Sequence, residues 1–378
     1  MGNPFEYGTA VAGASFCNRT AETTDLISAI DSSMRAFLYS ERRMGKTSLV
    51  LRVLKSLDPK EYVSAYVDLW PTDDEAAFVT ATAKGISEAM GTTVERLLST
   101  ATKFFSRMSP SVALDEEGKP KVSFEYNQPA ATARRDLEEV LSVPARIARE
   151  SGRKVVIVFD EVQRILEYDS DHVERLLRSI IQHQRNVAYI FLGSRKHLVK
   201  QMFLDRKRPL FGTAAHFSIQ PIEVKHWRPF IRRKFVDSGK RIDTPVIDRI
   251  CELTEGHPFY TQHLCHAIWE RTAPGADVTA DGIKEGVQIV LARESYAYTS
   301  LWESMTIHQR RFLLGLAIEG KAAAPYSSAF AHKYGVGSAS SIQRLIEAMM
   351  KRDLIDREEG SLFILDRFFR IWIRERGQ

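Results

Sequence analysis

The stretch from Ser40 to Thr47, which reads SERRMGKT, has the spacing of a phosphate-binding loop. It fits the pattern GxxxxGK followed by Ser or Thr at every fixed position except the first, where Ser40 replaces glycine. In such a loop Gly45 lets the backbone approach phosphate, Lys46 reaches the terminal phosphates, and Thr47 binds Mg²⁺. Ser40 leaves these ligands in place. We therefore predict that this loop binds ATP with Mg²⁺.

The backbone of the same loop is expected to hold the nucleotide as well, since a loop that opens a helix directs its amide groups at phosphate. Besides Gly45, Lys46 and Thr47, the residues predicted to line the nucleotide here are Arg42, Arg43, Met44 and Ser48. A buried strand before the loop and an amphipathic helix after it are the context that such a motif requires.

A second group of chemically competent residues ends the apolar run VVIVFD, Val155 to Asp160. An acid at the end of a strand can hold Mg²⁺ through water, and a following glutamate can polarise the attacking water. We therefore predict Thr47 and Asp160 as metal ligands, and Glu161 with Lys46 as catalytic residues. Two acids at a strand end can also simply face solvent, so the loop and the acids indicate function mainly in combination.

Ser194 and Arg195 follow a further buried run, VAYIFLG. We predict Ser194 as a third catalytic residue that orients the water or reads the γ-phosphate, with a helix cap as an equally weighted alternative. Arg195, Arg42 and Arg43 are candidates for stabilising transition-state charge, and the sequence does not choose among them.

The elements that must position these residues alternate between strands and helices. Such alternation predicts βαβ units and a parallel sheet. Strands are predicted at Met34 to Tyr39, Tyr62 to Leu69, Val155 to Asp160, Val187 to Ser194 and within FGTAAHFSIQP. Helices are predicted after the loop, from Glu75 to about Arg107, from Ala131 to Ser151 and along Ile165, Leu176, Leu177 and Ile180; a β-hairpin is predicted at Ser111 to Tyr126, around the turn Glu116 to Pro120.

After Pro221 the pattern becomes entirely helical, and from about Thr306 it follows the order of a winged helix. The predicted fold class is α/β, a P-loop NTPase parallel sheet with a helical lid domain and a C-terminal winged-helix domain. The predicted domains are residues 1–220 for the ATPase, 221–303 for the lid and 304–378 for the winged helix.

The composition is that of an ordinary globular protein, since 44% of the 378 residues are hydrophobic and 27% are charged. A net charge of +5 would tolerate nucleic acid without requiring it. Cys17, Cys251 and Cys265 show no metal-binding spacing, which favours buried, reduced thiols. The N-terminus lacks the features of a signal peptide and no apolar run reaches the length of a membrane span, so we predict a cytoplasmic protein.

Several segments together resemble the archaeal-type ATPases of the STAND and AAA-like P-loop group, which are similar in layout to origin-recognition ATPases. They are FCNRTAE, SERRMGKTSL, VFDEVQ, LGS, EGHPFYTQHL and LDRFFRIWI, and they span nearly the whole chain. The resemblance implies that ATP binds between the sheet domain and the helical lid.

The same resemblance implies further nucleotide contacts. Phe16, Asn18 and Arg19 would lie near the adenine end. The contribution of the lid would be His257, Pro258 and Tyr260. Relatives usually have an arginine in the lid where this chain has His257, which puts in doubt whether the lid senses the γ-phosphate through charge. GHPFY can also be read as a helix break, and FCNR as a capped turn with Phe16 in the core.

The predicted winged helix does not by itself identify its binding partner. A winged helix commonly places its second helix in the DNA major groove. The candidate helix, Ala339 to Lys351, carries Gln343, Arg344 and Lys351, which offer modest positive charge. Asp356, Glu358 and Glu359 in the wing would repel phosphate. Double-stranded DNA and a protein partner are therefore both candidates, and a homo-oligomer is expected if an arginine must come from a neighbour.

Two hypotheses of function follow from these residues. The first is an ATPase switch, in which Mg²⁺-dependent hydrolysis moves the lid and the winged helix. The second is a protein-interaction scaffold that uses bound ATP or ADP as a state label with little turnover. A small-molecule phosphotransferase is disfavoured, because no signature of an acceptor pocket is present.

Overall fold

The computed structural model describes residues 2–11, 13–91, 93–105, 109–114, 120–125, 130–320, 324–358 and 360–377. The chain folds into two compact units. The sheet unit runs from Arg19 to Gln220, and the helical unit comprises the segment up to Asn18 and the chain from Pro221 onward. The N-terminal segment packs in the helical unit because Phe5 and Cys17 are part of the core of that unit.

The sheet unit alternates strands with helices, as the sequence pattern predicts. Its elements are α1 (Thr20–Asp31), β1 (Arg35–Tyr39), α2 (Lys46–Ser56), β2 (Tyr62–Asp68), α3 (Glu75–Met90), α4 (Val94–Phe104), β3 (Ser109–Leu114), β4 (Pro120–Glu125), α5 (Ala130–Ser151), β5 (Lys154–Asp160), α6 (His172–Ile181), β6 (Val187–Gly193), α7 (Lys196–Leu204) and β7 (Ala215–Ser218).

Five of these strands form one sheet in the order β2-β5-β6-β1-β7, and every neighbouring pair is parallel. All seven residues of β6 and six of the seven in β5 are buried, which suits strands covered on both faces. The predicted α/β fold with a parallel sheet is confirmed. Because parallel strands end at the same edge, the residues after β1, β5 and β6 meet there.

Two predicted helices are divided in the structure. The helix predicted from Glu75 to about Arg107 is α3 followed by α4, because Gly91 ends the first and the Thr93 side chain caps the second. Arg107 lies outside the described residues. Ile165 belongs to a short 3-10 helix, Val162–Glu167, which is separate from α6. The predicted hairpin is the antiparallel pair β3 and β4, and residues 115–119 of its turn lie outside the described residues.

The helical unit contains the predicted all-helical segment and the winged helix. Its elements are α8 (Val224–Asp237), α9 (Thr244–Thr254), α10 (Pro258–Arg271), α11 (Ala280–Glu303), α12 (Ile307–Glu319), α13 (Ser328–Tyr334), α14 (Ala339–Lys351), β8 (Ile355–Glu358), β9 (Ser361–Ile364) and α15 (Arg367–Arg376). The order from α12 to α15, with β8 and β9 antiparallel, is that of a winged helix.

One hydrophobic core runs through the helical unit, from Trp227 in α8 to Ile373 in α15. Glu255, which follows α9, pairs with Arg367 at 3.1 Å and with Arg370 at 2.6 Å, and both arginines lie on α15. The four helices α8 to α11 and the winged helix therefore pack as one body. Among the described residues, no helix combines the length and the apolar character that crossing a membrane requires.

Candidate functional site

The phosphate-binding loop connects β1 to α2. Gly45 adopts φ +84°, in the left-handed region, and α2 begins at the next residue. No atom lies within 4 Å of the position that a Cβ on Gly45 would occupy, so the loop has open space at this point. The first amide groups of a helix have no partner within the helix. The start of α2 therefore offers donors to a phosphate group.

Lys46 is buried and its ammonium group donates to three oxygens of the loop. They are the Ser40 hydroxyl at 2.8 Å, the Glu41 carbonyl at 3.0 Å and the Ser40 carbonyl at 3.5 Å. Burial lowers the pKa of Lys46 to about 8. Ser40, the residue that departs from the loop pattern, thus supplies a side-chain acceptor that glycine would lack.

Thr47 and Asp160 lie together at the carboxyl edge of the sheet. The Thr47 hydroxyl donates to Asp160 Oδ2 at 2.9 Å, which leaves its lone pairs available to a cation. Mg²⁺ prefers oxygen ligands and keeps several waters, so one hydroxyl and one carboxylate fit it without a larger protein cage. The Tyr66 hydroxyl donates to the same Oδ2 atom. Burial and the Asp160 charge raise the pKa of Tyr66, so its phenol stays a donor.

Glu161 follows Asp160 in a left-handed conformation, with φ 55°. Its Oε2 atom accepts hydrogen bonds from Ser194 Oγ at 2.8 Å and from Gln163 Nε2. Ser194 comes directly after β6, which pairs with β5. A Cβ at Gly193 would lie 2.0 Å from Val199 Cγ2 and 2.6 Å from Gln163 Oε1, so glycine leaves room for both side chains. The structure therefore brings Glu161 and Ser194 together beside Asp160.

A family model for an ATPase domain found predominantly in Archaea matches residues 16–264. The chain belongs to this ATPase family. It is accordingly an ATP-binding, ATP-hydrolysing P-loop enzyme, and residues 296–375 match a probable winged helix domain. The predicted family and the predicted enzyme class are confirmed.

Two solved structures resemble the ATPase over most of its length. A Walker-type ATPase of Pyrococcus abyssi has a TM-score of 0.65 and 16% identity, covering 95% of this chain and 96% of that chain. The ORC2 protein of Aeropyrum pernix, solved as ADPNP-ADP complexes, has a TM-score of 0.51 and 12% identity, covering 95% and 94%. At these identities the likeness shows the fold. No curated protein matches the sequence.

Arg19, whose predicted place near the adenine stays a prediction, contacts the phosphate loop of the ATPase. Its guanidinium is buried and donates to the Glu22 carboxylate at 2.7 Å, the Gln220 carbonyl at 2.7 Å and the Met44 carbonyl at 3.2 Å. The loop is thus tied to both ends of the sheet unit. The sequence carried no signal for this contact, because the segment FCNR suggested only an adenine contact or a capped turn.

The other loop residues differ in exposure. Met44 and Ser48 are buried, whereas Arg42 and Arg43 are exposed. Arg195, a candidate for transition-state charge, donates to Glu167 at 3.1 Å.

Five predicted nucleotide contacts belong to the helical unit, not to the sheet unit that contains the loop. Phe16 is half-buried and Asn18 is exposed. His257 is buried, with its ring 4.6 Å from that of Tyr260, and Pro258 begins α10. GHPFY is thus a helix break, since α9 ends at Thr254. The roles of these five residues in binding nucleotide stay predictions. The cysteines are free and buried, as expected.

Proposed function

We propose that the ATPase is a Mg²⁺-dependent switch, in which ATP hydrolysis in the sheet unit changes the position of the helical unit and what its winged helix contacts. The observation that carries the proposal is the shared position of Thr47, Asp160 and Glu161 at one edge of the sheet. Metal ligands and a base on adjacent residues are what phosphoryl transfer to water requires.

Each side chain has a distinct task in this proposal. Lys46 turns from Ser40 towards the terminal phosphates, where its charge offsets that of the transition state. Thr47 and Asp160 would hold Mg²⁺, which neutralises phosphate charge when bound. Glu161 orients the attacking water and accepts its proton. Ser194 holds the Glu161 carboxylate in place, because its hydroxyl donates to that carboxylate at 2.8 Å.

Steady-state hydrolysis and ATP binding, both measured with Mg²⁺, test the switch against the scaffold. Under the switch, Glu161→Gln lowers turnover by about 100-fold or more and retains ATP, because it removes only the base. Lys46→Ala weakens binding and turnover together. A wild-type protein that binds ATP tightly and shows no turnover above that of Glu161→Gln would refute the switch and leave the scaffold.

We propose duplex DNA as the partner of the winged helix. Gln343, Arg344 and Lys351 are exposed on α14. The wing presents an exposed Arg357, and its Asp356 is buried, which reduces the acidity expected from the sequence. The Glu358 side chain and Glu359 lie outside the described residues.

The salt dependence of binding to a labelled duplex tests this partner. Removing two phosphate contacts with Arg344→Ala and Lys351→Ala should weaken binding and reduce the slope against log salt by about 2. The double variant Arg232→Ala and Arg233→Ala is a control of equal charge, since both arginines are exposed on α8. Equal losses in the two double variants, or no binding at low salt, would point to a protein partner.

A further inference from the structure

Tyr66 lies on β2, the strand beside β5, and pairs in register with Val158. Its hydroxyl donates to Asp160 Oδ2, the oxygen that also accepts the Thr47 hydroxyl. The other carboxylate oxygen, Oδ1, accepts the backbone N–H of Glu161 at 2.8 Å. The donors to Asp160 thus come from three separate segments: the phosphate loop, β2 and the turn after β5.

This arrangement determines how Asp160 can face a cation. The Glu161 amide fixes one carboxylate oxygen from the backbone, so the plane of the carboxylate depends on what holds the other. The Thr47 hydroxyl is itself a proposed metal ligand, whereas the Tyr66 hydroxyl comes from a strand of the sheet and is left to hold Oδ2. Groups that orient a metal-binding carboxylate typically affect metal affinity by about 10- to 100-fold when they are removed.

We propose that Tyr66 is a positioning residue of the Mg²⁺ site, which holds the Asp160 carboxylate in the orientation needed to bind the hydrated cation. This inference rests on the proposed Mg²⁺-dependent function. It predicts a defect in metal binding, with little defect in nucleotide binding when metal is absent, because the Tyr66 hydroxyl bonds to the proposed metal ligands Asp160 and Thr47. Lys46, which would bind phosphate, bonds to Ser40 and Glu41.

Tyr62 offers a matched control on the same strand. It lies four residues earlier, on the same face of β2, and its hydroxyl likewise donates to a carboxylate, that of Asp31. Both tyrosines are half-buried. Tyr66 also lines a cavity of about 570 Å³ between β2 and α3. Replacing its hydroxyl by hydrogen removes an atom and therefore creates no steric conflict. The phenylalanine variants therefore compare two tyrosine–carboxylate hydrogen bonds at different sites, of which that of Tyr62 is the more exposed.

The test is the affinity of the ADP complex for Mn²⁺, measured by electron paramagnetic resonance in the wild type, Tyr66→Phe and Tyr62→Phe. ADP affinity in EDTA and the thermal midpoint are measured beside it. We expect Tyr66→Phe to weaken Mn²⁺ binding by about 10- to 100-fold, with ADP affinity in EDTA unchanged. Tyr62→Phe should match the wild type.

The outcomes separate this inference from the proposed function. A wild-type complex that does not bind Mn²⁺ would refute the metal-dependent function itself. Normal Mn²⁺ binding in the wild type and an equal affinity in Tyr66→Phe would refute the role of Tyr66 alone. A loss of ADP affinity in EDTA as large as the loss of Mn²⁺ affinity would assign Tyr66 a general structural role. A fall in the thermal midpoint of Tyr66→Phe that Tyr62→Phe does not show would do the same, and either result would overturn the inference.

Discussion

The ammonium group of Lys46 lies 2.8 Å from the hydroxyl oxygen of Ser40, the residue that replaces the first glycine of the loop pattern. The same hydroxyl donates to the Glu41 carbonyl, also at 2.8 Å. Ser40 therefore stabilises Lys46 in a position turned back on the loop. A lysine that must leave this acceptor to reach phosphate binds nucleotide at a cost that glycine would not impose.

Ser40→Ala should tighten ATP binding by about threefold to tenfold, because a hydrogen bond to a charged group is removed from the nucleotide-free state. Titration of a fluorescent ATP analogue measures the change. Ser56→Ala, at the far end of α2, is the control. The Ser56 hydroxyl donates to the Val53 carbonyl, so its removal should not alter ATP affinity. Weaker binding by Ser40→Ala would mean that the hydroxyl serves the bound nucleotide instead.

Nucleotide affinity should depend on pH through Lys46. Burial lowers the pKa of this lysine to about 8 in the free protein, so its charge is present at pH 7 and mostly lost by pH 9. Only the charged form binds phosphate well, and the affinity of the non-hydrolysing Glu161→Gln variant should fall by about tenfold across that range. Adding Lys46→Arg should flatten the profile because a guanidinium stays charged. If affinity fell equally with pH in Glu161→Gln and in the variant that also carries Lys46→Arg, the pH dependence would not come from Lys46.

Ser194→Ala should lower kcat by about tenfold to 100-fold and leave the KM for ATP nearly unchanged, because Glu161 loses one of two donors that orient it. Single-turnover hydrolysis measures the chemical step directly. Gln163→Leu removes the other donor and should act in the same direction. If Ser194→Ala instead raised KM at constant kcat, its hydroxyl would bind nucleotide and would not position the base.

Arg19→Lys should lower the free energy of unfolding by about 2 kcal/mol or more, since a single ammonium cannot reach the carboxylate and both carbonyls that the guanidinium bridges. Urea unfolding followed by circular dichroism measures the loss. Glu22→Gln is the control: Glu22 is 28% exposed against 5% for Arg19, so its loss should stay below about 1 kcal/mol. Equal losses would show that Arg19 acts through the ion pair alone.

The central part of the site could be predicted from the sequence because its residues stand at the ends of strongly patterned elements. Lys46 and Thr47 open an amphipathic helix, and Asp160 and Ser194 follow continuous apolar runs. Parallel strands bring such ends to one edge, so sequence position alone implied proximity. The winged helix was recognisable for a similar reason, from the order of its short elements.

Contacts made across long stretches of chain could not be predicted in this way. Tyr66 looked like an ordinary residue of an alternating strand, and its partner Asp160 is 94 residues away. The carbonyls that Arg19 contacts belong to Met44 and Gln220, 25 and 201 residues along the chain. Every residue has a backbone carbonyl, so the residue type at positions 44 and 220 does not reveal that Arg19 bonds there. The division of the helix predicted from Glu75 was missed because a single break at Gly91 hardly alters the apolar period.

The continuous core of the helical unit limits how the proposed switch could work. A winged helix on a flexible tether would search for its target independently of the nucleotide. Here α15 is buried against α9 to α11 and is held by Glu255, two residues before His257. Because these helices share one core, a rotation of the turn between α9 and α10 would rotate α14 by the same angle. For the same reason the winged helix is not a detachable module, because cutting the chain after α11 would remove the Phe368 and Phe369 rings that contact Tyr260 and Tyr298.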